Sequence, residues 1–239
     1  MARLRGIFFD IDDTLYSTNH FAHLARTNAL KEMRKFGLRV PLADLERELE
    51  EVVREFSSNY DRHLDKLLVR LPGESRNGVN PAILIAAGVR AYHDTKYTDL
   101  KPYADAMEFL RKLPATRLVR GVITAGLEVK QAEKILRLGI YPHLSPHAIF
   151  ISEQMGISKP NPKMFSTAAL RCGLRPAECM YLGNSLAHDI RPAKEAGWVA
   201  VLVTREARMD AEGVRPDYRV HTFDEMGAIL RDDFKIKLR

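Results

Sequence analysis

Carboxylates at the end of an apolar run are the first residues in this chain with the look of chemistry. Ile7, Phe8 and Phe9 lead straight into Asp10, Ile11, Asp12, Asp13 and Thr14. A short run of aromatic and β-branched residues reads as a buried strand. Open α/β sheets place ligands at the carboxyl ends of their strands, and here that end carries Asp10 and Asp12. Strand side chains alternate in direction, so the two can share a site only if the strand stops and the chain turns. Neighbouring carboxylates do not titrate alike, because like charge raises one pKa and a bound cation favours ionisation. One can then be an anionic nucleophile and the other its general acid and base.

Further along, four residues suited to phosphate or cation chemistry follow other strand-like runs. Thr124, with Ala125 and Gly126, ends the run Leu118–Ile123. Lys159 lies in Ser158-Lys-Pro-Asn-Pro162, in the loop after Ala148–Ile151. Asn184 and Asp189 lie in Gly183-Asn-Ser-Leu-Ala-His-Asp-Ile190, after Cys179–Leu182. Each alone has a plain reading: a helix cap for Thr124, a surface lysine for Lys159, an Asx turn for Asn184, a helix-dipole partner for Asp189. Their order is what counts, since all the carboxyl ends of a parallel sheet lie on one edge.

The elements that would position them fall into two regions. Residues 17–99 read as helical. Phe21, Leu24, Ala25 and Ala29 open the region, with Gly37 as a stop, and Leu42, Leu45, Leu49, Val52 and Phe56 follow Pro41. Leu64, Leu67, Leu68 and Leu71 suggest a third helix before Pro72-Gly73, and Glu74–Val79 a loop. Asn80-Pro81 reads as N-cap and first turn of a fourth. Residues 1–16 and 100–239 alternate strand and helix. Trp198–Val203 makes a further strand, Tyr218–Val220 a short sixth, and Phe223–Leu230 a last helix. Crossovers of this length imply a parallel sheet. The predicted fold is α/β: a Rossmann-like three-layer core with an inserted α-helical domain.

Composition narrows the function. The net charge is +6, with 31 acidic residues against 37 basic, which suits an enzyme with an anionic substrate. No basic run with interleaved aromatics appears, so nucleic acid is not an expected partner. Lys235–Arg239 reads as a solvated tail. No apolar run approaches the ~20 residues that span a bilayer, so no membrane partner is expected. Cys172 and Cys179 read as reduced thiols, and the chain as a soluble cytoplasmic protein, monomeric or homodimeric.

Phe8-Phe-Asp-Ile-Asp-Asp-Thr-Leu15 resembles the first motif of the haloacid dehalogenase superfamily, in its phosphatase branch, and the match continues in order through the core. The resemblance implies that Asp10 attacks phosphorus and Asp12 protonates the leaving oxygen, its pKa raised for that step. It implies that Thr124 and the following backbone N–H at Ala125 hold phosphoryl oxygens and that Lys159 balances charge. Asp10, Asp12, Asn184 and Asp189 would hold Mg²⁺, and residues 17–99 would be the cap. The similar subfamily includes proteins assigned to glyceraldehyde 3-phosphate, so a small phosphorylated metabolite is the implied substrate. One departure is Asn184, where the family usually has Asp, so weaker metal binding is expected. Metal-independent 2-haloacid dehalogenases also carry Asn in this region but lack the second Asp. That branch, and a catalytically weak phospho-ligand binding protein, remain as alternatives. Asn59, Arg62, His63, Tyr92, His93 and Lys96 are candidate cap contacts, with a helix-surface role the plainer reading for each. Tyr16 and Trp198 read as packing residues, and His188 as a structural neighbour of Asp189.

Overall fold

The computed structural model describes residues 3–57 and 60–238. The chain forms two compact units, Met1–Thr18 with Lys101–Arg239, and Asn19–Leu100.

The first unit is built on a parallel sheet of β1 (Gly6–Phe9), β2 (Val119–Thr124), β3 (Ile149–Ile151), β4 (Cys179–Gly183), β5 (Val199–Val203) and β6 (Tyr218–Val220). The strand order is β3-β2-β1-β4-β5-β6, and each neighbouring pair is parallel. Phe9 is in register with Val122 on one side and Leu182 on the other, so β1 is interior to the sheet. The chain runs outward to β3, then returns past β1 to β4, and such a reversal of strand order marks where open α/β sheets bind ligands.

The second unit carries α1 (Thr18–Lys35, whose first residue belongs to the other unit), α2 (Leu42–Phe56), α3 (His63–Arg70) and α4 (Pro81–Asp99). Leu45, Leu49 and Val52 put one face of α2 inward, and Leu45 and Leu49 join Leu30, Met33, Leu38, Leu67, Leu68 and Leu84 in a leucine-rich core. Asn80 caps α4, its side chain accepting from the Ala82 N–H at 2.9 Å, with Pro81 opening the helix. The stretch read from sequence as the loop Glu74–Val79 begins inside one 3₁₀ turn, Gly73–Arg76.

In the first unit, α5 (Ala104–Lys112), α6 (Glu128–Arg137), α7 (Ser152–Met155), α8 (Lys163–Arg171), α9 (Arg191–Glu195) and α10 (Phe223–Asp232) flank the sheet. Successive residues of β1 serve opposite faces. Phe8 packs against Phe150 and Trp198, and Phe9 against Phe109 and Phe223. Both phenylalanines are fully buried. Each side chain so buried is worth about 1.5–3 kcal/mol, which fixes β1 between the two helix layers. Trp198 is the packing residue its sequence context suggests, and it also meets Phe165. Among the described residues no helix is long and apolar enough to cross a membrane.

Candidate active site

Asp10 leaves β1 with its N–H donating to the Leu182 carbonyl at 2.9 Å, so the residue is held by the neighbouring strand. Its Oδ1 accepts from Lys159 Nζ at 2.8 Å. The same ammonium donates to Asp189 Oδ1 at 2.6 Å and to the Tyr181 hydroxyl at 3.0 Å. Three ammonium protons thus meet three acceptors. The Asp10, Lys159 and Asp189 side chains are all at least nine-tenths buried. Asp189 Oδ2 accepts from the backbone N–H groups of Asn184 and Ser185 at 3.0 Å each. These come from the turn after β4, where Leu186–Ile190 winds as a π-helical turn. Tyr181, in the middle of β4, donates to the Ile123 carbonyl at 2.8 Å and so ties this cluster to β2.

Two buried carboxylates facing one buried ammonium leave an excess negative charge. Burial pushes Asp10 up to about 7, with Asp189 and Asp12 adding to the rise and Lys159 opposing it. The anionic nucleophile expected from sequence is thus harder to ionise than an exposed carboxylate, because the side chain is buried. Burial works against the Lys159 charge, yet Asp10 and Asp189 hold its pKa above the usual lysine value.

Asp12 does not join this cluster through its carboxylate. Lys134 Nζ, from α6, grips both oxygens at 2.6 and 2.7 Å. The Tyr16 hydroxyl donates to Oδ1 at 2.5 Å, with Thr18 Oγ1 3.4 Å from Oδ1 and Gln131 Nε2 3.4 Å from Oδ2. Burial favours the acid form, but Lys134, Tyr16 and Gln131 outweigh it and hold Asp12 below the usual carboxylate range. The raised pKa expected of Asp12 concerns the protonation step; in the free protein the carboxyl is held as a base, which sequence spacing does not reveal because it does not show the lysine opposite. Tyr16 is likewise more than a packing residue. Asp13, at φ 58°, turns the chain, accepts from the Thr18 N–H at 2.8 Å and pairs with Arg208 at 2.9 Å.

Thr124 ends β2 fully buried, its hydroxyl donating to Gln131 Oε1 at 3.3 Å. Gln131 in turn donates to the Ala125 carbonyl at 3.1 Å, linking the β2 end to the Asp12 group. Asn184 Nδ2 donates to the Glu206 carbonyl at 3.0 Å, and its own carbonyl accepts from the Arg208 N–H at 2.7 Å. His188 meets Ser185 and Asp210 rather than Asp189.

Of the four residues expected from sequence to hold a metal, Asp10, Asp12, Asn184 and Asp189, two present carboxylates that already have protein partners. The Asp12 carboxylate is engaged by Lys134 and Tyr16, and Asp189 by Lys159 and two N–H groups. Among the described residues no three acidic, histidine or cysteine side chains gather as a metal-binding group. The oxygens left to a cation are Asp10 Oδ2 and Asn184 Oδ1, whose amide nitrogen is already anchored. Both are hard oxygen donors of the kind Mg²⁺ takes, and an ion held by these two side chains would keep most of its coordination sphere for water and substrate.

Sequence reasoning missed Lys134, Gln131, Tyr181 and Arg208. Gln131 extends the Ile135–Leu138 row at helical spacing, which signals a buried polar side chain needing a partner. A tyrosine inside a buried strand carries the same signal for its hydroxyl. Of the candidate cap contacts, Arg62 pairs with Asp65 at 3.0 Å, and His63 Nε2 lies 2.8 Å from the Ser57 carbonyl. Tyr92 packs on Phe21 and against His93, and Lys96 on α4 also has a partner. Asn59 lies outside the described residues.

Residues 4–197 match the haloacid dehalogenase-like hydrolase family. A protein of Methanopyrus kandleri named glyceraldehyde 3-phosphate phosphatase is 42% identical over 236 residues, covering 96% of this chain and 98% of its own. One of the same name from Methanocaldococcus jannaschii is 35% identical over 230 residues, with 96% and 98% covered. The crystal structure of a phosphatase of this superfamily from Thermococcus onnurineus superposes with a TM-score of 0.64 at 21% identity, covering 95% of this chain and 98% of that one. By its own sequence match and by these relatives, the chain belongs to the haloacid dehalogenase-like hydrolases.

Proposed function

We propose that this phosphatase hydrolyses a small phosphorylated metabolite, a triose phosphate such as glyceraldehyde 3-phosphate, through a phosphorylated Asp10. The observation that carries the reading is the buried Asp10–Lys159–Asp189–Tyr181 cluster at the end of the interior strand β1. Near-complete likeness in length to proteins named for glyceraldehyde 3-phosphate supports the substrate class.

In this account an Asp10 oxygen forms a bond to phosphorus while the ester P–O bond breaks. The leaving oxygen takes a proton from Asp12. Water then attacks the phosphorylated Asp10 at phosphorus and gives its proton to Asp12, so ester plus water yields alcohol plus phosphate and both aspartates are restored. Asp12 held in its base form in the free protein suits the second step. In the first, an incoming dianionic phosphoryl group opposes that ionisation and favours the proton Asp12 must donate. Lys159 offsets charge on nucleophile and phosphoryl group, while Thr124 and the Ala125 N–H hold phosphoryl oxygens. Asp10 and Asn184 would hold Mg²⁺, with Asp12 offering at most its main-chain carbonyl; the ion, when bound, supplies charge neutralisation for the transferring group. Residues 17–99 serve as the cap that selects substrate. The unpaired thiols Cys172 and Cys179 suit a reducing cytoplasm.

The test is hydrolysis of glyceraldehyde 3-phosphate and p-nitrophenyl phosphate with Mg²⁺, with chelator, and by Asp10→Asn. Activity that needs the metal and disappears in the variant is the expected result. Robust turnover in chelator or by Asp10→Asn would reject the account. Halide release from 2-chloropropionate in chelator would favour the dehalogenase alternative instead.

A further inference from the structure

The Asp12 carboxyl group is held more firmly than a partly exposed residue needs to be. A single surface ion pair fixes orientation poorly. Here one ammonium spans both oxygens, a tyrosine hydroxyl takes Oδ1, and a threonine hydroxyl and a glutamine amide approach Oδ1 and Oδ2. The Lys134 stem is itself constrained, with its side chain 16% exposed and its ammonium 5.7 Å from the centre of the Tyr16 ring. Asp12 is more open, its side chain 31% exposed, so the held carboxyl group still meets solvent.

From this geometry we infer that Lys134 is a positioning residue for protonation of the leaving group. It fixes the torsion of the Asp12 carboxyl and keeps that group from turning toward Lys159 or toward a cation held by Asp10. The inference rests on the reading above, in which Asp12 serves the leaving oxygen. Lys134 itself touches neither phosphorus nor the leaving group. Its loss therefore harms the reaction where the departing oxygen needs a proton, as in alkyl phosphates. An acidic phenol such as p-nitrophenol departs without one, and there the loss matters little.

The experiment compares kcat/KM for glycerol 3-phosphate and p-nitrophenyl phosphate in the full-length wild type, Lys134→Gln, Lys134→Arg and Asp12→Asn, all with Mg²⁺. Lys134→Gln should lose roughly 10- to 100-fold on the alkyl ester but less than about 3-fold on the aryl ester, the loss expected when a general acid is misplaced rather than removed. Arginine, which can also span a carboxylate, should restore most of the alkyl activity. Asp12→Asn should show the same asymmetry, larger. Should Lys134→Gln not fold, Lys134→Met, which keeps the stem without the charge, takes its place, with thermal unfolding as the check. Equal losses on both esters, or none, together with an asymmetric Asp12→Asn, would overturn the role of Lys134 and leave that of Asp12 standing. A symmetric Asp12→Asn would overturn the reading of Asp12, and this inference with it.

Discussion

Asn184 concentrates a conflict at a single position. Its Nδ2 donates to the Glu206 carbonyl and helps hold the segment after β5, a task that a carboxylate cannot perform. Its Oδ1 is the atom proposed to face the cation. Asn184→Asp should therefore tighten Mg²⁺ while making the metal-free protein less stable, by about 1–3 kcal/mol for the lost bond and the carbonyl left unpaired. Metal titration by calorimetry and urea unfolding in chelator read the two effects separately. An unchanged Mg²⁺ affinity would place this side chain away from the ion. At this scale the legibility of the sequence was uneven. The convergence of Asp10, Lys159 and Asp189 follows from their places after three parallel strands. The turn of Asp12 toward Lys134 does not, because no pattern states which face of α6 lies over the β1 turn.

The alternation of strands and helices was plain in the sequence, since apolar runs and Gly or Pro stops mark each strand of the core. Finer geometry was not: α7, read as loop, is a short helix, and the turn after β4 is π-helical. That turn has a steric condition at its start. A Cβ at Gly183 would lie 2.5 Å from the Cβ and Cγ of Asp189, inside any real contact distance. A side chain there must displace the carboxylate that holds Lys159 against Asp10. Gly183→Ala should therefore destabilise the fold by about 1–3 kcal/mol, as overpacked cores do. Turnover should fall on the order of 100-fold, the scale of a 1 Å misplacement at a reacting centre. Urea unfolding and kcat measure the two. Wild-type values for both would mean that the turn carries no strain to the cluster.

Over the whole molecule, the family was legible because its motifs occupy strand ends spread from Asp10 to Asp189, and the match spans residues 4–197. What the motifs could not display is charge balance. Were both carboxylates ionised, Asp10, Lys159 and Asp189 would carry one excess buried negative charge, and burial together with that charge pushes Asp10 up to about 7, which no local pattern encodes. This balance is the physical core of the account, for a buried carboxylate paired with one lysine is costly unless its charge is used. The most direct test is to quench the full-length enzyme in acid during turnover of glyceraldehyde 3-phosphate with Mg²⁺, reduce it with borohydride, and map its peptides by mass spectrometry. A phosphorylated aspartate becomes homoserine under this treatment, and the account predicts that conversion at Asp10. Conversion at another residue, or turnover by Asp10→Asn at the wild-type rate, would contradict it.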